Sequence, residues 1–229
     1  MLYWYNMRKA SLVIFLLASF ITLFATNVEV ELKPGKHPES SVKRALDKAQ
    51  GIVDKLALCD EIQKTNVLHI IANRYLELYT IHDEYDARNE RIETLGLETK
   101  MKEEELERSY YQYNSGLYRS RFGYIAWLSF FLNEEQVETV KNEMTENMLK
   151  LRYNAFLDML PEMTDAEKKR VYNWLVEARE FAMDFITSRK MQQMFTKYRG
   201  RINNYLNACG HDLGKASSEQ ITRQIRENI

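Results

Sequence analysis

Thr164-Asp165-Ala166-Glu167-Lys168-Lys169-Arg170-Val171-Tyr172-Asn173-Trp174-Leu175-Val176-Glu177-Ala178-Arg179-Glu180-Phe181-Ala182-Met183-Asp184-Phe185 reads as a helix from its first residue. Thr164 with Glu167 three positions on is a capping box. The hydroxyl accepts an orphan backbone N–H, and the carboxylate reaches back to the cap. Val171, Trp174, Leu175, Ala178, Ala182 and Phe185 then recur at intervals of three and four, which puts them on one face. Pro161 separates this helix from what precedes it.

The same grammar extends in both directions. Downstream, a helix from Ser188 to Cys209 buries Met191, Met194, Phe195, Tyr198, Ile202, Tyr205 and Leu206 and stops at Gly210. Residues 215–229 form a short terminal helix or tail, opening at Ser217 or Ser218. Upstream, Asn133 with Gln136 repeats the capping device. A helix from Thr99 begins with solvated charged turns and continues into buried aromatic ones, with a break expected near Ser115-Gly116. Asp60 with Gln63 opens another helix, whose stripe of Val67, Ile70, Ile71, Tyr75 and Leu78 runs on to about Leu95-Gly96. Ahead of it, Val42, Ala45, Leu46, Ala49, Ile52, Val53 and Leu56 recur at helical spacing behind Ser40 or Ser41 as cap.

Composition agrees. The chain has 8 glycines and 3 prolines in 229 residues, too few to supply the turns an all-β fold needs. The expectation is an all-α fold, a helical bundle of about six to seven helices. It occupies residues 40–214, behind an extended leader over 27–39 that contains Lys33-Pro34-Gly35 and Pro38.

Residues 1–26 read as a cleaved signal peptide. Arg8 and Lys9 supply the basic region, and Ala10 to Ala25 runs without a charge, shorter than a bilayer span requires. The alternative is an uncleaved anchor. Export to the periplasm or the extracellular space follows, with no stable membrane span after cleavage. The formal net charge is −1, and loss of Arg8 and Lys9 makes it more negative, which argues against a nucleic-acid partner. Cys59 and Cys209 stand at expected helix ends; a bridge and two separate thiols are both compatible with the sequence.

Chemistry-bearing motifs are sparse. His37, His69, His82 and His211 are scattered without metal-ligand spacing, and consecutive His82-Asp83-Glu84 cannot all face one ion. No nucleophile elbow, phosphate loop or dinucleotide glycine pattern occurs, so neither cofactor nor metal is expected. The polar residues after Pro161 are the candidates. Glu177, Glu180 and Asp184 are spaced by three and four as a stripe opposite the apolar face, and Arg179 is a further candidate hydrogen-bonding group on the same helix. On the next helix Lys197, Arg201 and Asn204 form one stripe, and Arg199 and Asn203 another. Tyr198 and Tyr205 offer stacking faces. Gly200, mid-helix, suggests a close approach of backbone or ligand. Arginine, asparagine and tyrosine together suit a sugar, above all an acidic one. A solvated pair of helix faces is the plainer alternative.

The run Lys197-Tyr198-Arg199-Gly200-Arg201-Ile202-Asn203-Asn204-Tyr205-Leu206 also carries a resemblance. With Glu134 to Lys141, Met144-Thr145, Asp158 to Pro161 and Trp174 to Asp184, it resembles the secreted helical family catalogued as domain of unknown function 3826. The likeness spans roughly Val42 to Asp212 and is sharp after Phe131. Departures stand at Met191-Gln192, in place of a Lys-His pair, and at Glu146, in place of a tyrosine. The resemblance implies sugar binding linked to polysaccharide utilisation. A second likeness, in the caps at Asn133 and Thr164, is to small periplasmic stress chaperones of the Spy and CpxP type.

The expectation is therefore an exported, non-catalytic binding protein taking an oligosaccharide or acidic glycan. A chaperone or scaffold holding partner protein is the alternative. A third reading is an enzyme using Glu177, Glu180 or Asp184 as acid and base.

Overall fold

The computed structural model describes residues 28–227. The signal-peptide reading of 1–26 lies outside them, as does the end of the tail. Among the described residues the protein is all-α, with eight helices and no strand. It divides into two compact units between Val137 and Glu138.

The first unit contains α1 (Glu39–Val53), α2 (Glu61–Thr94), α3 (Thr99–Phe131) and the start of α4 (Glu134–Met144). Asp60 caps α2 by accepting the Gln63 N–H at 2.6 Å, and Gly96 in the left-handed region (φ 63°) lets the chain turn back into α3. The two long helices run antiparallel, and their cross-links show the register. Ser109 donates to Asn89, Tyr113 pairs with His82, Arg74 donates to Ser120, and Gln63 donates to the Phe131 carbonyl. Each step along α2 is matched by a step backward along α3.

Three local expectations fail here. The first helix begins at Glu39 after Pro38, with no serine side chain capping it; proline's fixed φ already suits a helix start. Ser115-Gly116 does not break α3. Packing against α2 outweighs the roughly 1 kcal/mol that a glycine costs a helix interior. The aromatic turns of α3 are mostly not buried. Leu117, Tyr124, Leu128 and Phe131 face inward, whereas Tyr111, Tyr118 and Phe122 are exposed, because α3 is covered along its α2 side.

The second unit contains the rest of α4, then α5 (Met148–Met159), α6 (Asp165–Ala182), α7 (Ser188–Ala208) and α8 (Leu213–Glu227). Glu146 and Asn147 both sit at φ 55° and separate α4 from α5, a break that no glycine or proline announces. The α6 face read from sequence is the core face: Val171, Leu175, Ala178 and Ala182 are buried, with Trp174 half-buried beside them. Phe195, Ile202 and Leu206 of α7 meet it, and fully burying such a side chain contributes on the order of 1.5–3 kcal/mol. Gly210 (φ 96°) ends this stretch, and α8 starts at Leu213 rather than at Ser217, because Asp212 accepts the Lys215 N–H as cap. Cys59 and Cys209 are free and exposed.

Candidate functional site

The face shared by α6 and α7 brings part of the predicted set together. Glu177 Oε2 lies 3.5 Å from Arg201 Nη1. The Arg201 guanidinium also sits over the Trp174 indole, 4.8 Å from the ring centroid, and Arg170 approaches the same ring at 5.6 Å. Tyr205 meets Trp174 edge to face at 5.2 Å and 89°. Tyr198 is buried and stacked on Phe181. Burial first, then a hydrogen bond to Glu177, pushes its phenol up to about 12, while the charge of Arg201 pulls the other way. Glu177, Tyr198, Arg201 and Tyr205 thus form one patch around Trp174.

Other predicted residues lie elsewhere. Arg179 is only 2% exposed and turns to α4, where it donates to Asn142 Oδ1 at 2.8 Å and pairs with Glu138 Oε2 at 2.7 Å. Its neighbour Glu180 accepts from it at 2.9 Å and lies 3.3 Å from Lys141. Asp184 is buried, and it is not on the stripe of Glu177 and Glu180, because α6 ends at Ala182 and helical spacing stops there. Lys197, Arg199 and Asn204 are exposed and Asn203 half-buried. A Cβ built on Gly200 would meet nothing within 4 Å, so no protein backbone approach explains that glycine.

A concave site stands in the first unit. A groove of about 900 Å³ runs between the leader, α2 and α3. Arg74 of α2 lines it, 2% exposed, donating to Ser120, 3.7 Å from Glu77 and 5.6 Å from the Tyr124 ring centroid. Trp127, half-exposed, and Arg119 contribute from α3, and Lys33 and Lys36 from the leader. Gly116, Ser120 and Gly123 line the groove from α3.

A family model described as a protein of unknown function (DUF3826) matches residues 42–226. The chain belongs to that family. The match includes α2, α3, α6 and α7, hence both the Trp174 patch and two walls of the groove; the leader lies ahead of it. No curated protein matches this DUF3826 chain. Among the described residues, no group of three or more His, Cys, Asp or Glu side chains is placed to hold a metal ion, and no helix is long and apolar enough to cross a membrane.

In this DUF3826 member the groove is not legible from the sequence, because its walls come from segments far apart in the chain. One signal was present. Gly116, Ser120 and Gly123 fall four and three residues apart in a helix otherwise rich in large side chains, a spacing that strips one face of bulk. Ser115-Gly116 also carries the signal of a helix break, and that competes with the spacing.

Proposed function

We propose that this DUF3826 protein is an exported, non-catalytic carbohydrate-binding protein whose ligand docks on the α6–α7 face. The observation that carries the reading is the position of Arg201, within reach of the Glu177 carboxylate and over the Trp174 ring. A sugar ring presents vicinal hydroxyls that pair with a carboxylate and a planar donor fork, and an apolar C–H face that packs on an aromatic ring. Arg170 adds a second cation beside the same indole, which favours a glycan carrying carboxylates. A binding role also fits the carboxylates themselves. Glu177 faces Arg201, and Glu180 is held by Arg179 and Lys141, so both present oriented acceptor oxygens.

Thermal-shift screening of the secreted chain against neutral and acidic oligosaccharides tests the proposal. A rise in Tm with an acidic glycan, lost in an Arg201→Ala, Asn204→Ala double variant, is the expected result. Binding that survives the double variant overturns the site, and no shift with any glycan overturns the function. Amino-terminal sequencing of the exported protein tests the signal, with a new end expected close to Ala25. A second reading, the holding of partner protein, draws on Tyr111, Tyr118 and Phe122, which recur seven and four residues apart on α3 and are all exposed. Suppression of client aggregation without any glycan shift would favour it.

A further inference from the structure

The first unit carries a second site. We infer that the groove between the leader, α2 and α3 binds a small ring compound bearing a carboxylate, independently of the α6–α7 face.

Its volume is the first argument. About 900 Å³ falls within the span of small-molecule sites, roughly 300–1,000 Å³. The sequence makes that room at a cost. A Cβ on Gly123 would meet nothing within 4 Å, and one on Gly116 would meet only Ile81 Cγ2 at 3.9 Å. Neither glycine is needed for α3 to approach α2, yet each is a poorer helix former than alanine. Both face the groove, and their missing side chains are open volume within it.

Charge is the second argument. Arg74 is already oriented, with Ser120 accepting from it, Glu77 balancing it and Tyr124 beneath it. That pair is neutral. What remains along the walls is Arg119, Lys33 and Lys36 against Glu29 and Glu31, an excess of one positive charge around an oriented guanidinium. An anion gains here and a cation does not.

Trp127 supplies the third. It is 49% exposed on the same walls, and an indole left half-open beside cations is a stacking surface for a flat or chair-shaped ring. A uronic sugar and an aromatic acid share this chemistry, ring face plus carboxylate, and titration separates them.

Calorimetric titration of the full secreted chain with digalacturonate, with its neutral digalactose counterpart and with 2-naphthoate tests the assignment. One of the two acids binds, and the neutral disaccharide binds at least about tenfold more weakly, the difference expected of one charged hydrogen bond. Arg119→Gln weakens the acid by a similar factor. Gly123→Leu abolishes binding while leaving Tm unchanged or higher, since leucine is the better helix former and meets no protein atom at its Cβ. Failure of both acids at millimolar concentration overturns the inference, as does affinity equal to that of the neutral sugar or binding that survives Gly123→Leu. Arg201→Ala keeps the two sites distinguishable. Groove binding is unaffected by it, whereas binding lost in Arg201→Ala and kept in Gly123→Leu belongs to α6–α7 and overturns the groove.

Discussion

Asn66 and Asn73 stand seven residues apart on α2, and each grips the leader in the same way. Asn66 accepts the Val30 N–H at 2.7 Å and donates to the Val28 carbonyl at 2.9 Å; Asn73 accepts the Lys33 N–H at 2.7 Å and donates to Glu31 at 2.8 Å. Seven helical residues advance roughly 10 Å, and three extended residues also advance roughly 10 Å. The two periods therefore coincide, and a chain without a β-partner satisfies its backbone on side-chain amides instead. His69, which pairs with the Val30 carbonyl at 2.6 Å, adds a third anchor between them.

Asn66→Ala is expected to cost about 1–3 kcal/mol, because it orphans a part-buried backbone N–H and carbonyl at once. Hydrogen exchange checks it. Protection of the Val30 amide should fall in Asn66→Ala and that of Lys33 in Asn73→Ala, with amides of α7 unchanged. Unaltered exchange at Val30 would show that the clamp does not hold the leader.

Arg179 gives the second prediction. Its guanidinium is 2% exposed and shared among Glu138, Glu180 and Asn142. Only the arginine side of the set is buried, since the Glu138 side chain is 47% exposed, so the cost falls short of that of a pair buried on both sides. Arg179→Ala should lower the urea midpoint, chiefly through lost packing and hydrogen bonds, and Glu138→Gln less, since Glu180 and Asn142 still face the guanidinium. Burial raises the Glu138 carboxyl, but Arg179 and then Lys141 outweigh it and hold it below its ordinary 4.5. A depressed folded value means stability present above about 4.5 and lost as pH falls below it. Arg179→Ala should flatten that limb.

Caps were legible in the sequence because they are local chemistry. Thr164 and Glu167 close their box, and Asn133 and Gln136 bond reciprocally at 2.9 and 3.1 Å. Gln63 shows the limit. Its backbone is capped by Asp60, but its side chain crosses to the Phe131 carbonyl instead of returning to the cap, a choice made by a helix 68 residues away. Glu177 and Arg201 were each legible as polar positions on neighbouring helices, but their 3.5 Å pairing comes from the packing of α6 on α7. The partnership of Arg179 with Glu138, and the meeting of Arg74 with Ser120, depend on how distant helices pack, which no periodicity encodes.

Gly200 separates packing from ligand contact. A Cβ there meets nothing within 4 Å, so Gly200→Ala should stabilise the chain by about 1 kcal/mol through helix propensity and the reduced freedom of the unfolded chain. Denaturant unfolding measures that gain. Glycan titration of the same variant then shows whether a ligand needs the bare backbone: unchanged affinity places the contact on Arg201 and Trp174, and a loss places it against the α7 main chain as well.

Glu167 accepts the Thr164 N–H at 2.7 Å and its hydroxyl at 2.9 Å, and its other oxygen lies 3.1 Å from His211 Nε2. The backbone bond first, then the hydroxyl, hold the carboxyl down to about 2, with His211 adding to the effect against some desolvation. The box joins the start of α6 to the chain just beyond α7, so its protonation loosens two elements together. A folded value below the ordinary 4.5 gives stability that is whole above about 4.5 and drains away toward about 2. Thr164→Ala should cost about 1 kcal/mol at neutral pH, the ordinary value of a lost threonine cap. It should also narrow the acid window, because one of the two Thr164 bonds is gone. Glu167→Gln removes this carboxylate's share of the window altogether. Urea midpoints of the three proteins from pH 7 downward measure both effects, and parallel acid limbs in all three would mean that this carboxylate does not link proton binding to folding.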